Sequence, residues 1–184
     1  RKLEAFEMLT PNPQLAAMSL GNHNVYHSES KKAQSFIDFI VSDTIAVQRD
    51  IPQLFEYETN IQNCYGNDET YKWRGTNLWE AIFRTLLDNG KLNRQWFLDS
   101  CLRVQTKEWN NGSKTFFKKC IDNIQPTADE LIESQEFIFP LLHASYNQVV
   151  NYGVSLLKSC YEADGFNTSA FLEWSSPVLM RDDC

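Results

Sequence analysis

Apolar residues recur every three or four positions along most of the chain, which is the spacing of one face of an α-helix. The first such stripe predicts an amphipathic helix over residues 30–46. Its members are Ala33, Ile37, Ile40, Val41 and Ile45. Ile51, Leu54 and Phe55 can start a short helix, whereas residues 60–70 are polar and predict a loop. Since the alternation typical of a β-strand never extends beyond a few positions, the pattern predicts an all-α fold.

Helix-start signals recur from residue 77 onward. Two segments, Asn77-x-x-Glu80 and Thr127-x-x-Glu130, match a capping box, in which both side chains bond to backbone N–H groups. Further predicted caps are Asn93, Ser113, Ser145 and Asn167, and predicted breaks are Gly90, Pro126 and Gly165. Helices of about 10–17 residues therefore alternate with short loops, and short loops make consecutive helices antiparallel neighbours.

Residues 140–157 carry the most specific pattern in the chain. In order, they provide a helix-closing Pro140 and Leu142, a turn and cap at Ser145, a first buried position at Val149, a small residue at Gly153, and the pair Leu156 and Leu157. This order resembles the HEAT repeat, a helix pair of the HEAT/armadillo class. The resemblance implies that Gly153 is small because adjacent second helices pack closely there. The family often has Asp where Ser145 stands and Arg where Val150 stands, and this chain has neither.

The Pro-x-Leu-x-x-Asp part of the pattern begins again at Pro177, 37 residues after Pro140. HEAT and armadillo units are about 40–47 residues long. The resemblance implies an α-solenoid of antiparallel helix pairs over residues 76–184, after an irregular helical portion over residues 1–75. The alternative is a non-repetitive helical bundle with one chance HEAT-like turn. The chain begins with Arg1 rather than Met and ends in mid-repeat, so we expect a piece of a longer protein.

A second resemblance runs from Trp-Arg-Gly at residues 73–75, through Gly-Lys-Leu at residues 90–92, to the pair at residues 140–157. This block is similar to a bacterial family of uncharacterised helical domains. That resemblance implies no activity. From the two resemblances together, we expect residues 1–184 to form a single α-helical repeat domain.

The sequence contains no recognisable catalytic or cofactor motif, such as a Gly-rich phosphate loop or a His-Glu-x-x-His zinc motif. His23 and His27 are four positions apart, but they lie in a predicted surface loop, which is a more common setting than a metal pair. His143 lies at the predicted repeat turn, where a helix C-terminus favours a cation. We therefore predict no catalytic, cofactor-binding or metal-binding residues, and no enzymatic activity.

The cysteine pattern indicates a reducing compartment. The chain has five cysteines, none of them in a CxxC pair, and an odd number argues against a closed disulfide framework. They are Cys64, Cys101, Cys120, Cys160 and Cys184. We expect these cysteines to behave as small, buried hydrophobic residues of a cytoplasmic protein. No stretch approaches the roughly 20 apolar residues of a membrane span, so we expect no membrane association.

Charge is the one unevenly distributed feature. The net charge is −7, yet residues 71–119 contain ten Lys or Arg and only four Asp or Glu, together with four of the five tryptophans. The candidate partner-binding cations in this segment are Lys72, Arg74, Arg94, Arg103, Lys107, Lys114, Lys118 and Lys119. A basic surface with interspersed aromatic residues suits a nucleic acid or an acidic partner. The alternative, which we favour, is that the segment neutralises acidic neighbours and that the tryptophans are mostly buried.

These observations support three hypotheses about function. The leading one is a non-enzymatic scaffold for protein–protein interaction, because stacked helix pairs form extended binding surfaces. The second is nucleic-acid binding through residues 71–119. The third is that the domain is the helical arm of a larger enzyme.

Overall fold

The computed structural model describes residues 10–22, 30–65 and 77–179. Within these ranges the chain forms helices and turns and no β-strand, which confirms the all-α prediction. The α-helices are α1 (Pro13–Gly21), α2 (Ser30–Ser42), α3 (Leu78–Asp88), α4 (Arg94–Thr106), α5 (Asn111–Ile124), α6 (Ala128–Glu133), α7 (Gln135–Ile138), α8 (Asn147–Lys158) and α9 (Thr168–Leu179). The described residues also form a π-helical turn (Ala46–Asp50) and 3-10 helices at Ile51–Phe55, Ile61–Asn63 and Phe139–His143.

Residue contacts divide the chain into two compact units, which we call the first unit (Arg1–Asn93) and the second unit (Arg94–Cys184). Each unit has its own buried apolar residues. None of the helices in the described part of the chain is long and apolar enough to cross a membrane.

The core of the first unit forms around Trp79, which is fully buried at the start of α3. Its ring packs against Phe83, with the ring centroids 5.5 Å apart, and its indole Nε1 donates to the carbonyl oxygen of Leu20. As predicted, Asn77 caps α3: its Oδ1 accepts from the Trp79 N–H at 2.8 Å. Gly90 follows the helix in the left-handed conformation, with φ +63°, as its predicted role as a stop requires.

The helix predicted over residues 30–46 is shorter than expected. It ends at Ser42, and Asp43 caps the next turn by accepting from the Ala46 N–H at 3.0 Å. The π-helical turn Ala46–Asp50 and the 3-10 helix Ile51–Phe55 then continue the chain. Both kinds of turn bury apolar side chains, namely Ala46, Val47 and Ile51. For this reason the apolar spacing of the sequence continues beyond Ser42, where the helix ends.

The second unit begins with an antiparallel helix pair, α4 and α5. Gln105, near the end of α4, donates to the carbonyl oxygen of Lys114 near the start of α5. At the other end, Arg94 donates to the carbonyl oxygen of Ile124 at 2.7 Å. The predicted cap Ser113 is wrong, because α5 begins two residues earlier and Asn110 accepts from the Ser113 N–H instead.

The next helical stretch begins as predicted but does not continue as one helix. Thr127 and Glu130 form a reciprocal capping box at the start of α6. The helix breaks at Ser134, which is fully buried and donates to Asp99 on α4 at 2.5 Å. A buried hydroxyl needs such a partner, and this bond links the break to α4.

The 3-10 helix Phe139–His143 is the central element of the second unit, since α8 and α9 both pack against it. Gly153 of α8 faces this element: an added Cβ would lie 2.8 Å from the Leu141 Cβ. The small residue is therefore required within one helix pair, rather than between adjacent second helices as the HEAT resemblance implied. A solenoid arrangement of the pairs stays a prediction.

Two predicted boundaries of α8 are also wrong. Ser145 does not cap it, because the N-cap is Tyr146, which makes no side-chain capping bond. The helix ends at Lys158, well before Gly165, because several turns separate it from α9. The start of α9 is confirmed, since Asn167 Oδ1 accepts from the Ala170 N–H at 3.0 Å.

Candidate binding sites of the second unit

A polar cleft of about 430 Å³ opens between α5 and the start of α8. We call it the lysine cleft. Its wall contains Lys114 and Lys118, which are one turn apart on α5, and the first turn of α8. Its other lining residues are Gln105, Asn111, Thr115, Ser145, Tyr146, Asn147, Gln148, Val149 and Tyr152. Two of the predicted partner-binding cations therefore lie in one concave site.

Lys114 is the unusual residue of this cleft, because only 9% of it is exposed. Within the described part of the chain its ammonium group makes no hydrogen bond or ion pair; its nearest aromatic neighbour is the Tyr146 ring, with Nζ 5.7 Å from the centroid. Burial lowers the pKa of Lys114, and the charge of Glu108 partly offsets this effect.

Lys118 has partners within the protein. Its Nζ lies 2.7 Å from Asp122 Oδ2 and 4.4 Å from the centroid of the Tyr152 ring. The Tyr152 hydroxyl donates to the other Asp122 oxygen at 3.2 Å. Burial, reinforced by Asp122, raises the pKa of Tyr152 far above its usual range, so this hydroxyl stays protonated. The three side chains form a fixed network at one edge of the cleft.

Arg94, another predicted partner-binding cation, lies at the opposite end of α5 from Lys114. It pairs with Glu130 and donates to the carbonyl oxygen of Ile124. Lys114 and Ile124 are ten residues apart, so about 15 Å of helix separates their positions. Arg94 therefore lies apart from Lys114 along α5.

The other predicted cations also have local roles or lie outside the described residues. The guanidinium of Arg103 stacks over the Phe137 ring at 5.5 Å, and the ammonium of Lys107 lies 5.1 Å from the Trp109 ring centroid. Lys119 is exposed on α5 and does not line the cleft. Lys72 and Arg74 lie outside the described residues, as does Trp73. That these residues bind a partner remains a prediction.

The three described tryptophans of the basic segment are largely covered. Trp79 is fully buried in the first unit. In the second unit, Trp96 and Trp109 are each half-buried, and Trp109 packs on Phe117 with the ring centroids 6.2 Å apart. These indoles therefore contribute mainly to packing and offer little free surface on which a base could stack.

An apolar groove of about 730 Å³ lies between the second half of α8 and α9. Leu142 and Leu157 form its floor, and Tyr161, with 57% of its surface exposed, stands at its edge. The other lining residues are Val154, Lys158, Phe166, Thr168, Phe171 and Ser175. Phe166 and Phe171 pack against each other across the start of α9, with the ring centroids 5.8 Å apart.

The thiols of the described cysteines are poorly suited to chemistry. Cys64, Cys101, Cys120 and Cys160 are all buried and in the thiol form, outside any disulfide, whereas Cys184 lies outside the described residues. Burial raises the pKa of the Cys64 thiol to about 12 and that of Cys101 well above its usual value. A nucleophilic or metal-binding cysteine needs the thiolate form, which such burial disfavours.

Histidines and carboxylates do not converge on a metal site in the described ranges: no group of three His, Cys, Asp or Glu side chains there could hold an ion. His143 instead donates from Nε2 to the carbonyl oxygen of Trp174, and the two rings lie 4.6 Å apart. It therefore ties the central 3-10 helix to α9. His23 and His27 fall outside the described residues.

Sequence reasoning missed the residues that give both sites their shape. Tyr146 and Tyr152 complete the lysine cleft, and Tyr161 completes the apolar groove. Their spacing resembles that of ordinary core residues. For Tyr146 and Tyr161, the only signal available from the sequence was an aromatic residue just outside each end of α8.

Comparison with known proteins identifies the family of the chain but no activity. The chain belongs to the family described as a domain of unknown function (DUF6493), whose model matches residues 1–184. No curated protein and no solved structure matches the chain.

Proposed function

We propose that this DUF6493 domain is a protein-interaction module whose apolar groove binds an amphipathic segment of another protein. The observation that carries the proposal is the groove itself, an open apolar channel between two helices. Channels of this kind accept the apolar face of a helix through anchors at i, i+3, i+4 and i+7.

The rim of the groove favours an occupant with acidic residues beside its apolar face. Lys158, at the last turn of α8, is exposed and lines the groove. The partner we propose is therefore a helix with one apolar face and a carboxylate placed to meet Lys158. Tyr161 is suited to be a contact anchor, since exposed Tyr side chains are enriched among residues that dominate binding energy.

We further propose that the second unit is built from HEAT-like helix pairs. In support, α4 and α5 form an antiparallel pair, and α8 packs on the 3-10 helix Phe139–His143 with Gly153 at the contact. Helix pairs of this kind expose grooves between consecutive elements, which fits the position of the apolar groove.

Nucleic-acid binding through residues 71–119 has less support. Arg94 and Lys118 hold carboxylates of the same chain, and Arg103 stacks on Phe137. A cation that is already paired contributes little to binding phosphates, because its own partner must first be displaced. Among the described cations of this segment, Lys114 and Lys118 line the lysine cleft, and Arg94, Arg103, Lys107 and Lys119 do not.

The proposal is tested by quantitative capture from extracts of the source organism, with the intact protein as bait. Tyr161→Glu places a charge in the groove at an exposed position, and Lys158→Glu reverses the charge at its rim. Leu172→Glu is the matched control, because Leu172 is 62% exposed on α9 and does not line the groove. Circular dichroism and urea unfolding establish that all variants are folded.

We expect one or a few proteins whose capture falls at least about tenfold with Tyr161→Glu and with Lys158→Glu, but not with Leu172→Glu. Proteins captured equally by all four baits are background. If no captured protein depends on the groove residues, the proposal fails. It also fails if Tyr161→Glu instead dissociates a homodimer in light-scattering measurements, because the occupant would then be a second copy of the chain.

A further inference from the structure

The stretch between α8 and α9 consists of turns, and one side chain holds its last residues. Gln135, the first residue of α7, donates from Nε2 to the carbonyl oxygen of Gly165 at 3.1 Å. Its Oε1 accepts from the Asn167 N–H at 2.9 Å. These contacts span 30 and 32 positions of the chain. A side-chain amide is suited to such a double contact, because it carries both a donor and an acceptor.

The two backbone groups that Gln135 holds lie on either side of Phe166, which lines the apolar groove. The Phe166 ring packs against Phe139 of the central 3-10 helix, with the ring centroids 6.3 Å apart, and against Phe171 of α9. Asn167 directly precedes α9 and caps its first turn. The bonds of Gln135 therefore hold both a ring that lines the groove and the cap of α9.

The position of α9 depends on a small set of contacts, because α9 packs on the central 3-10 helix and the groove separates it from α8. His143 bonds to the carbonyl oxygen of Trp174, in the second half of α9, at 3.0 Å. At the near end, Gly165 has φ +89°, and an added Cβ would lie 3.2 Å from Ile132 Cγ2. Gln135 itself does not line the groove, so it can affect an occupant only through the wall that it holds.

We infer that Gln135 is a positioning residue of the apolar groove: its two hydrogen bonds hold Phe166 and the start of α9 in the conformation that accepts the apolar face of a partner helix. The inference rests on the function proposed for the groove. A loop that is already ordered in its binding conformation loses less conformational entropy when the partner binds. Where that conformation is only partly populated, the apparent affinity is reduced by the populated fraction.

The test adds two baits to the capture from extracts, Gln135→Met and Glu136→Met. Gln135→Met keeps the length of the side chain and removes both hydrogen bonds. Glu136→Met is the matched control, because Glu136 is exposed on the same helix and does not line the groove. For proteins whose capture depends on Tyr161, we expect a loss of at least about fivefold with Gln135→Met and of less than about twofold with Glu136→Met. All baits are used at a temperature at which circular dichroism shows them folded.

Hydrogen exchange separates positioning from a general loss of stability. In Gln135→Met, exchange of the Asn167 amide should accelerate more than exchange of the Leu157 amide in the core of α8, because local opening exposes only the first. A merely structural role would accelerate both amides alike and leave capture by the folded bait unchanged.

Gln135→Glu keeps the test decisive if Gln135→Met fails to fold. It retains an acceptor for the Asn167 N–H, but its carboxylate cannot donate to the Gly165 carbonyl oxygen, so capture should fall at least about threefold. The inference is overturned, and the proposed function stands, if Tyr161→Glu abolishes capture while every folded Gln135 variant captures as well as the parent protein. If Tyr161→Glu has no effect either, the proposed function fails and the inference fails with it.

Discussion

Glu130 is the residue whose ionisation matters most clearly for the stability of the second unit. Its hydrogen bond with Arg94, together with its place in the Thr127 capping box, lowers its pKa below the ordinary value of 4.5. A carboxyl with a depressed pKa in the folded state binds fewer protons there than in the unfolded state. Its contribution to stability is therefore complete above pH 4.5 and is lost as the pH falls through the lower, folded-state pKa.

Replacing this carboxyl should remove part of the acid sensitivity. Glu130→Gln is expected to lower the free energy of unfolding at pH 7 by about 1 kcal/mol, because a capping bond and a partly exposed ion pair are weakened. On acidification below pH 4.5 the variant should lose less stability than the parent protein. Urea unfolding at a series of pH values measures both effects. Glu133→Gln, an exposed change on the same helix, is the control; equal acid profiles for parent and Glu130→Gln would refute the assignment.

Tyr146 occupies an N-cap position without a capping side chain, so a better cap should stabilise the protein. Tyr146→Asp is expected to raise the free energy of unfolding by about 0.5–2 kcal/mol relative to Tyr146→Ala, which removes the ring without adding an acceptor. The new carboxylate also approaches Lys114, and thermal unfolding of the two variants gives the difference. Equal stability of the Asp and Ala variants would contradict the expectation that a side-chain acceptor at this N-cap stabilises α8.

Helix caps show how far the sequence predicts structure at the residue scale. Asn77, Thr127 and Asn167 were predictable because each places a side-chain oxygen directly before an apolar stripe. Ser113 and Ser145 were not, because polar residues surround both positions and several register choices are locally equivalent. Packing of α5 against α4 and of α8 against the 3-10 helix decides between them.

At the level of elements, the contact between α8 and the 3-10 helix Phe139–His143 depends on the missing side chain of Gly153. Gly153→Ala would gain about 0.5–1 kcal/mol in helix propensity. It would also place a Cβ 2.8 Å from the Cβ of the fully buried Leu141, and overpacking typically costs about 1–3 kcal/mol. We expect a net destabilisation of about 1 kcal/mol, measured by urea unfolding.

The control for this prediction is Ser155→Ala, an exposed substitution on the same helix that gains propensity without a contact. It should be neutral or slightly stabilising. If Gly153→Ala behaves like Ser155→Ala, the close approach of α8 to Leu141 is wrong.

Element boundaries were less predictable than element type. The apolar stripe over residues 127–142 is compatible with one helix, yet the chain forms α6, α7 and a 3-10 helix there. The first break lies at Ser134, whose hydroxyl donates to Asp99 and accepts from Gln95 of α4. These residues are 35 and 39 positions away along the chain, so no local pattern could indicate these contacts.

For the molecule as a whole, the all-helical fold was predictable because helix periodicity and capping are local properties. The division into two compact units and both candidate sites depend on contacts between distant segments. The lysine cleft needs α5 beside the start of α8, and the apolar groove needs α9 against the central 3-10 helix. The charge pattern indicated Lys114 and Lys118, but not that one is buried and the other paired.

The central claim is that the apolar groove binds a segment of another protein, and site-specific photo-crosslinking in cells tests it most directly. Tyr161→p-benzoylphenylalanine places the reactive group at the groove edge, and Leu15→p-benzoylphenylalanine places it at a position of similar exposure in the first unit. We predict a discrete, light-dependent adduct with a different protein from position 161 and none from position 15. The absence of an adduct from position 161, or the same adduct from both positions, would contradict the claim.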